Sequence, residues 1–107
     1  MNVKRLTSDK ELSNVIENDE SYVLLKHSLT CPISDQAKKE FEKFSSSNDV
    51  TSYIIHIQEN RELSNQVAEH FQVKHQSPQV FYVQDGDVQF HASHFDITAK
   101  KLEKQIM

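Results

Sequence analysis

The chain has 107 residues, inside the roughly 100–200 that one domain occupies, so residues 1–107 are read as a single domain. With 12 Lys and Arg against 16 Asp and Glu the net charge is −4, a balance that leaves no basic footprint for nucleic acid or an anionic membrane. A single Gly and a single Cys exclude phosphate-cradling glycine loops, an internal disulfide, a C-x-x-C dithiol and any multi-cysteine metal site.

The opening Met1-Asn2-Val3-Lys4-Arg5 has no apolar segment behind its basic residues. No stretch approaches the roughly 18 apolar residues of a membrane span. A lone thiol stays free in a reducing compartment, so a cytoplasmic location is expected.

In chain order, a weak strand at Val3 to Leu6 opens the pattern. Ser8-Asp9-Lys10-Glu11 then forms a capping box, and Leu12, Val15 and Ile16 give a short helix ending near Asn18. Tyr22 to His27 is a brief apolar run of strand formers, read as a buried strand. From Pro32, the spacing of Ile33, Ala37, Phe41 and Phe44 predicts the clearest amphipathic helix, with Ser45 to Asp49 as the loop behind it. Ser52 to Ile57 is a second strand, and Leu63, Val67, Ala68 and Phe71 form a helical stripe behind a cap at Asn60. Val80 to Val83 and Val88 to Phe90 flank Asp85-Gly86, the signature of a tight antiparallel hairpin. Asp96 or Thr98 caps a closing helix carrying Ile97, Leu102 and Ile106. Alternating β and α units followed by a hairpin and a helix build a three-layer α/β/α sandwich on a mixed sheet of four to five strands, the element order of the thioredoxin fold.

Cys31 falls between the strand ending near His27 and a helix whose first residue is Pro32, a residue favoured at that position because its missing N–H costs nothing there. As N-cap, its sulfur would face the free amides of Ile33 and Ser34 and the positive end of the helix dipole, both of which favour thiolate, while Asp35 opposes them. The alternative is an inert buried thiol, the commonest state of free cysteine. The strand–Cys–Pro–helix setting favours the reactive reading. Ser34 stands where a C-x-x-C oxidoreductase carries its resolving thiol, and the residues alone read it as an ordinary polar side chain of the first turn.

At Lys26-His27-Ser28-Leu29-Thr30-Cys31-Pro32-Ile33-Ser34 the sequence resembles the monothiol bacilliredoxin family, known by its Thr-Cys-Pro-Ile-Ser signature. Arg61 to Asn65, Val73 to Phe81 and His91 to Thr98 resemble the family's other characteristic stretches in the same order, although Phe95 stands where Trp is expected and Gln76 where Glu is commoner. The resemblance implies a thioredoxin-like fold with Cys31 as the nucleophile that removes bacillithiol, a low-molecular-weight thiol, from S-bacillithiolated client proteins. It implies no bound cofactor, bacillithiol as co-substrate, and regeneration by a second bacillithiol or a reductase. Thr30, Pro32, Ser34, Ser77 and Pro78 would contact substrate. Ser77-Pro78 favours trans by itself, as most X–Pro bonds do, whereas the resemblance implies a cis-proline loop facing Cys31. There the Ser77 backbone could pair with an extended substrate strand.

A single cysteine fits such chemistry independently, since a mixed disulfide at Cys31 has no second thiol to close onto. The competing reading is a non-catalytic binding or redox-sensing module whose cysteine is reversibly thiolated. The spacings of His70 with His75 and His91 with His94 raise a metal site, which the lack of partnering Cys or carboxylates disfavours. His75, close in sequence to the proline loop, could approach the thiolate, although a surface or structural role is the favoured reading.

Overall fold

A computed structural model describes residues 3–48 and 50–106. Strands β1 (Val3–Arg5), β2 (Ser21–His27), β3 (Ser52–His56), β4 (Gln79–Gln84) and β5 (Asp87–Ser93) alternate with helices α1 (Asp9–Asn18), α2 (Pro32–Ser47), α3 (Arg61–Phe71) and α4 (Ala99–Ile106). The five strands lie in the order β1-β3-β2-β4-β5. β1, β3 and β2 run parallel, while β4 is antiparallel to β2 and β5 to β4.

β2 lies at the centre and is buried on both faces from Tyr22 to His27, which is why its sequence reads as a continuous apolar run instead of an alternation. Successive side chains leave a strand on opposite faces. Tyr22 and Leu24 accordingly join Leu12, Val15, Leu63, Val67 and Phe81 in the core under α1 and α3. Val23 and Leu25 join Ala37, Phe41, Phe44, Val80 and Leu102 under α2 and α4. The result is three layers around two cores.

Local side-chain caps begin α1 and α4. Ser8 Oγ accepts from the Glu11 amide at 3.2 Å, as a capping box requires, but the Glu11 carboxylate reaches one residue further back to the Thr7 amide at 2.9 Å. Asn60 takes the N-cap position of α3 without a side-chain bond. Thr98, not Asp96, caps α4: its hydroxyl accepts from the Lys101 amide at 3.2 Å, while Asp96 belongs to a 3-10 turn over His94–Asp96 and pairs with Lys101 Nζ. Asp85 and Gly86 both have positive φ, 53° and 84°, as the central pair of a two-residue hairpin turn demands.

The expected loop at Ser45 to Asp49 is corrected in part, since α2 continues through Ser47; Asp49 lies outside the described residues. Ser45 falls four residues after Phe41 on the buried face. Its hydroxyl donates to Ser52 Oγ at 3.0 Å, so a polar residue extends the buried stripe at no unsatisfied cost.

Candidate active site

β2 ends at His27, and the Ser28–Thr30 turn delivers Cys31 to the start of α2. Cys31 is the N-cap residue in extended conformation and Pro32 the first helical residue; the helix begins with the Asp35 amide donating to the Cys31 carbonyl at 3.0 Å. The Cys31 side chain is half-buried and takes no capping bond from the helix amides that the sequence places before it.

Ser34 is fully buried, which the reading of an ordinary polar residue in the first turn did not foresee. Its hydroxyl accepts from the Ser28 amide at 2.7 Å and lies 3.0 Å from His27 Nδ1. The contact with His27 is a hydrogen bond in either tautomer, the hydroxyl donating to an unprotonated Nδ1 or accepting from a protonated one. Burial, with help from Lys38 and His56, holds the His27 pKa below its ordinary value and so favours the neutral ring. Ser34 therefore fastens the turn from inside; being buried, it does not face outward to substrate.

Lys26, the preceding residue, leaves the opposite face of the sheet. It is fully buried, with Nζ 5.6 Å from the Phe81 ring centroid and 3.2 Å from His75 Nδ1. Burial pushes its pKa down to about 8. His75 Nδ1 is also 3.3 Å from Ser64 Oγ, and desolvation together with Lys26 and Arg61 lowers its pKa. His75 thus belongs to the α3 side, tied to a core lysine, while α2 and Ser34 occupy the other face.

The antiparallel register Lys26↔Gln79 brings the residues just before β4 alongside the end of β2. Ser77-Pro78 is a cis peptide, as the resemblance implies. Pro78 is buried, Ser77 half-buried. The segment is held from both ends: buried Gln79 bonds the Lys74 carbonyl at 3.1 Å and the Gln76 amide at 3.2 Å, and the His94 amide donates to the Pro78 carbonyl at 3.1 Å. Outside, Thr30 and Pro32 are exposed, as are the large apolar side chains of Leu29 and Phe95. A depression of about 320 Å³ opens beside the first turn of α2, bordered by Ile33, Gln36, His94 and Phe95.

One contributor carries no sequence signal. Gln58, in the turn after β3, bonds the Leu29 amide at 2.9 Å and Ser28 Oγ at 2.7 Å, across 29 and 30 residues. Nothing local marks it. Among the described residues no three His, Cys, Asp or Glu side chains converge to hold a metal ion. His91 lies against the Phe81 ring and His70 against Phe71. No helix among the described residues is long and apolar enough to cross a membrane.

The profile of a family described as monothiol bacilliredoxin BrxC matches residues 4–102. A solved structure described as a candidate oxidoreductase with a thioredoxin fold is 36% identical, with a TM-score of 0.93, covering 99% of this chain and 95% of that one. Reduced thioredoxin preprotein of Schistosoma mansoni, 14% identical, superposes with a TM-score of 0.76 over 99% of this chain and 96% of its own. Mitochondrial thioredoxin 3 of Saccharomyces cerevisiae, 18% identical, does so at 0.74 over 97% and 92%. These distant likenesses establish the thioredoxin fold.

Proposed function

This chain belongs to the monothiol bacilliredoxin family, a thiol oxidoreductase-like group on the thioredoxin fold, and on that premise we propose that it removes bacillithiol from S-bacillithiolated proteins with Cys31 as nucleophile. The observation that carries this reading is the pairing of positions 31 and 34. The sole cysteine stands at the open start of α2, and the residue three further on is a buried serine committed to the turn.

The Cys31 thiolate attacks the bacillithiol sulfur of the client's mixed disulfide. A new Cys31–bacillithiol S–S bond forms, the old one breaks, and its electron pair leaves with the client thiolate. Ser34 has no sulfur, so no internal disulfide can follow. A second bacillithiol thiolate, or a reductase, attacks the bound bacillithiol sulfur and releases Cys31, with oxidised bacillithiol as the product in the first case. Thr30 and Pro32 border the sulfur, and the Ser77 backbone supplies an edge for the client strand. Among the described residues Ser77 enters no backbone–backbone bond outside the helices and strands. A reducing cytoplasm supplies the thiol that this cycle consumes.

The test follows the client thiol. An S-bacillithiolated model protein incubated with catalytic amounts of the chain and excess bacillithiol should regain its free thiol over many turnovers, and Cys31→Ser should abolish the effect. Stoichiometric modification without turnover would instead identify a redox-sensing module.

A further inference from the structure

The Ser28–Thr30 turn carries Cys31, yet among the described residues it takes part in no backbone–backbone hydrogen bond outside the helices and strands. Its polar anchors are side chains. Ser34 holds it from the buried side. On the solvent side Gln58 accepts from the Leu29 amide at 2.9 Å, and its amide donates to Ser28 Oγ at 2.7 Å and more weakly to Thr30 Oγ1 at 3.4 Å.

Gln58 itself stands on a firm base. The Ile57 amide donates to the His27 carbonyl at 2.9 Å, and the Glu59 and Asn60 amides both return to the His56 carbonyl. Its side chain is exposed, so core packing does not account for its order. An unattached glutamine would keep its rotamer freedom, which these bonds outweigh only because one side chain meets consecutive residues of a single turn.

We propose that Gln58 is a positioning residue for Cys31, clamping the Ser28–Thr30 turn so that the thiolate meets a docked disulfide in line. This rests on the disulfide-exchange reading above. Exchange needs three sulfurs nearly collinear, and small misplacements of a reacting group cost rate steeply. Gln58 itself is not placed against the client, so the effect belongs mainly in kcat.

Two variants separate the clamp from mere bulk. Gln58→Met keeps the size and removes every polar contact. Gln58→Glu keeps an acceptor for the Leu29 amide, and the Ser28 and Thr30 hydroxyls can rotate to donate to it. In Gln58→Met, the Leu29 amide should exchange with solvent at least about tenfold faster and kcat on a bacillithiolated client fall about tenfold, with KM within about twofold. Alkylation of Cys31 by iodoacetamide, which requires no docked geometry, should stay within about twofold. Gln58→Glu, assayed in about 0.5 M salt to screen its charge, should restore both exchange protection and kcat. An unchanged Leu29 amide or kcat in Gln58→Met would overturn the proposal, as would a loss that Gln58→Glu fails to rescue. If the wild-type chain does not turn over the client, the functional reading falls, while the Leu29 exchange still decides whether the clamp exists.

Discussion

Cys31 caps α2 and Ser34 lies in its first turn, and the proposed chemistry rests on the contrast between them. The thiol makes no capping bond, whereas the serine hydroxyl two positions inside the helix is bonded on both sides, to the Ser28 amide and to His27. Replacing Ser34 by Ala leaves a buried imidazole nitrogen and a turn amide without partners, at a cost of about 1–3 kcal/mol. Urea unfolding of Ser34→Ala should show that loss together with reduced exchange rates at Cys31; an unchanged midpoint would mean water replaces the hydroxyl without penalty. The residue types at 31, 32 and 34 were legible in the sequence because a helix start has a fixed local grammar. The direction in which Ser34 points was not, since it depends on His27 across the turn.

At the scale of elements, caps that act within a few residues could be read directly, and bridges between distant segments could not. Thr98 bonds the third amide of α4, but the first, at Ala99, is taken by the Glu40 carboxylate of α2 at 3.0 Å, 59 residues away. No pattern in either segment announces that pairing, and the same holds for Gln58 with the Cys31 turn and for Lys26 with His75. The end of α2 departs from the sequence expectation for a related reason: three serines look like a loop until Ser52 is placed opposite Ser45. Thr98→Ala removes the local cap alone and should cost about 1 kcal/mol in urea unfolding. Because Leu102 anchors α4 in the α2 core, the helix should persist in the variant by circular dichroism, and its complete loss would contradict this division of labour.

For the whole molecule, the two faces of β2 carry titratable groups that couple stability to pH. His27, chiefly through burial, and His75, through desolvation and its cationic neighbours, both bind protons less readily in the folded state than in the unfolded chain. Their contribution is complete above about pH 6.5, where the unfolded chain begins to take up protons, and is lost as pH falls from there through their lower folded-state pKa values. Glu11 and Asp96, held below the ordinary carboxylate range, act only at lower pH, so the interval between about pH 6.5 and 5 isolates the histidines. Unfolding free energy should decline across that interval, and His27→Gln, which retains an acceptor for Ser34 but does not titrate, should flatten the decline; an unaltered slope would remove His27 from the account. The central claim is that one thiol performs the exchange and cannot resolve itself. Intact-mass measurement after mixing the chain with a stoichiometric S-bacillithiolated protein tests it most directly. The account predicts a single bacillithiol adduct on Cys31 alongside reduced client, stable until bacillithiol or a reductase is added and absent in Cys31→Ser. An unmodified chain beside an unreduced client, or an adduct that forms in Cys31→Ser, would contradict it.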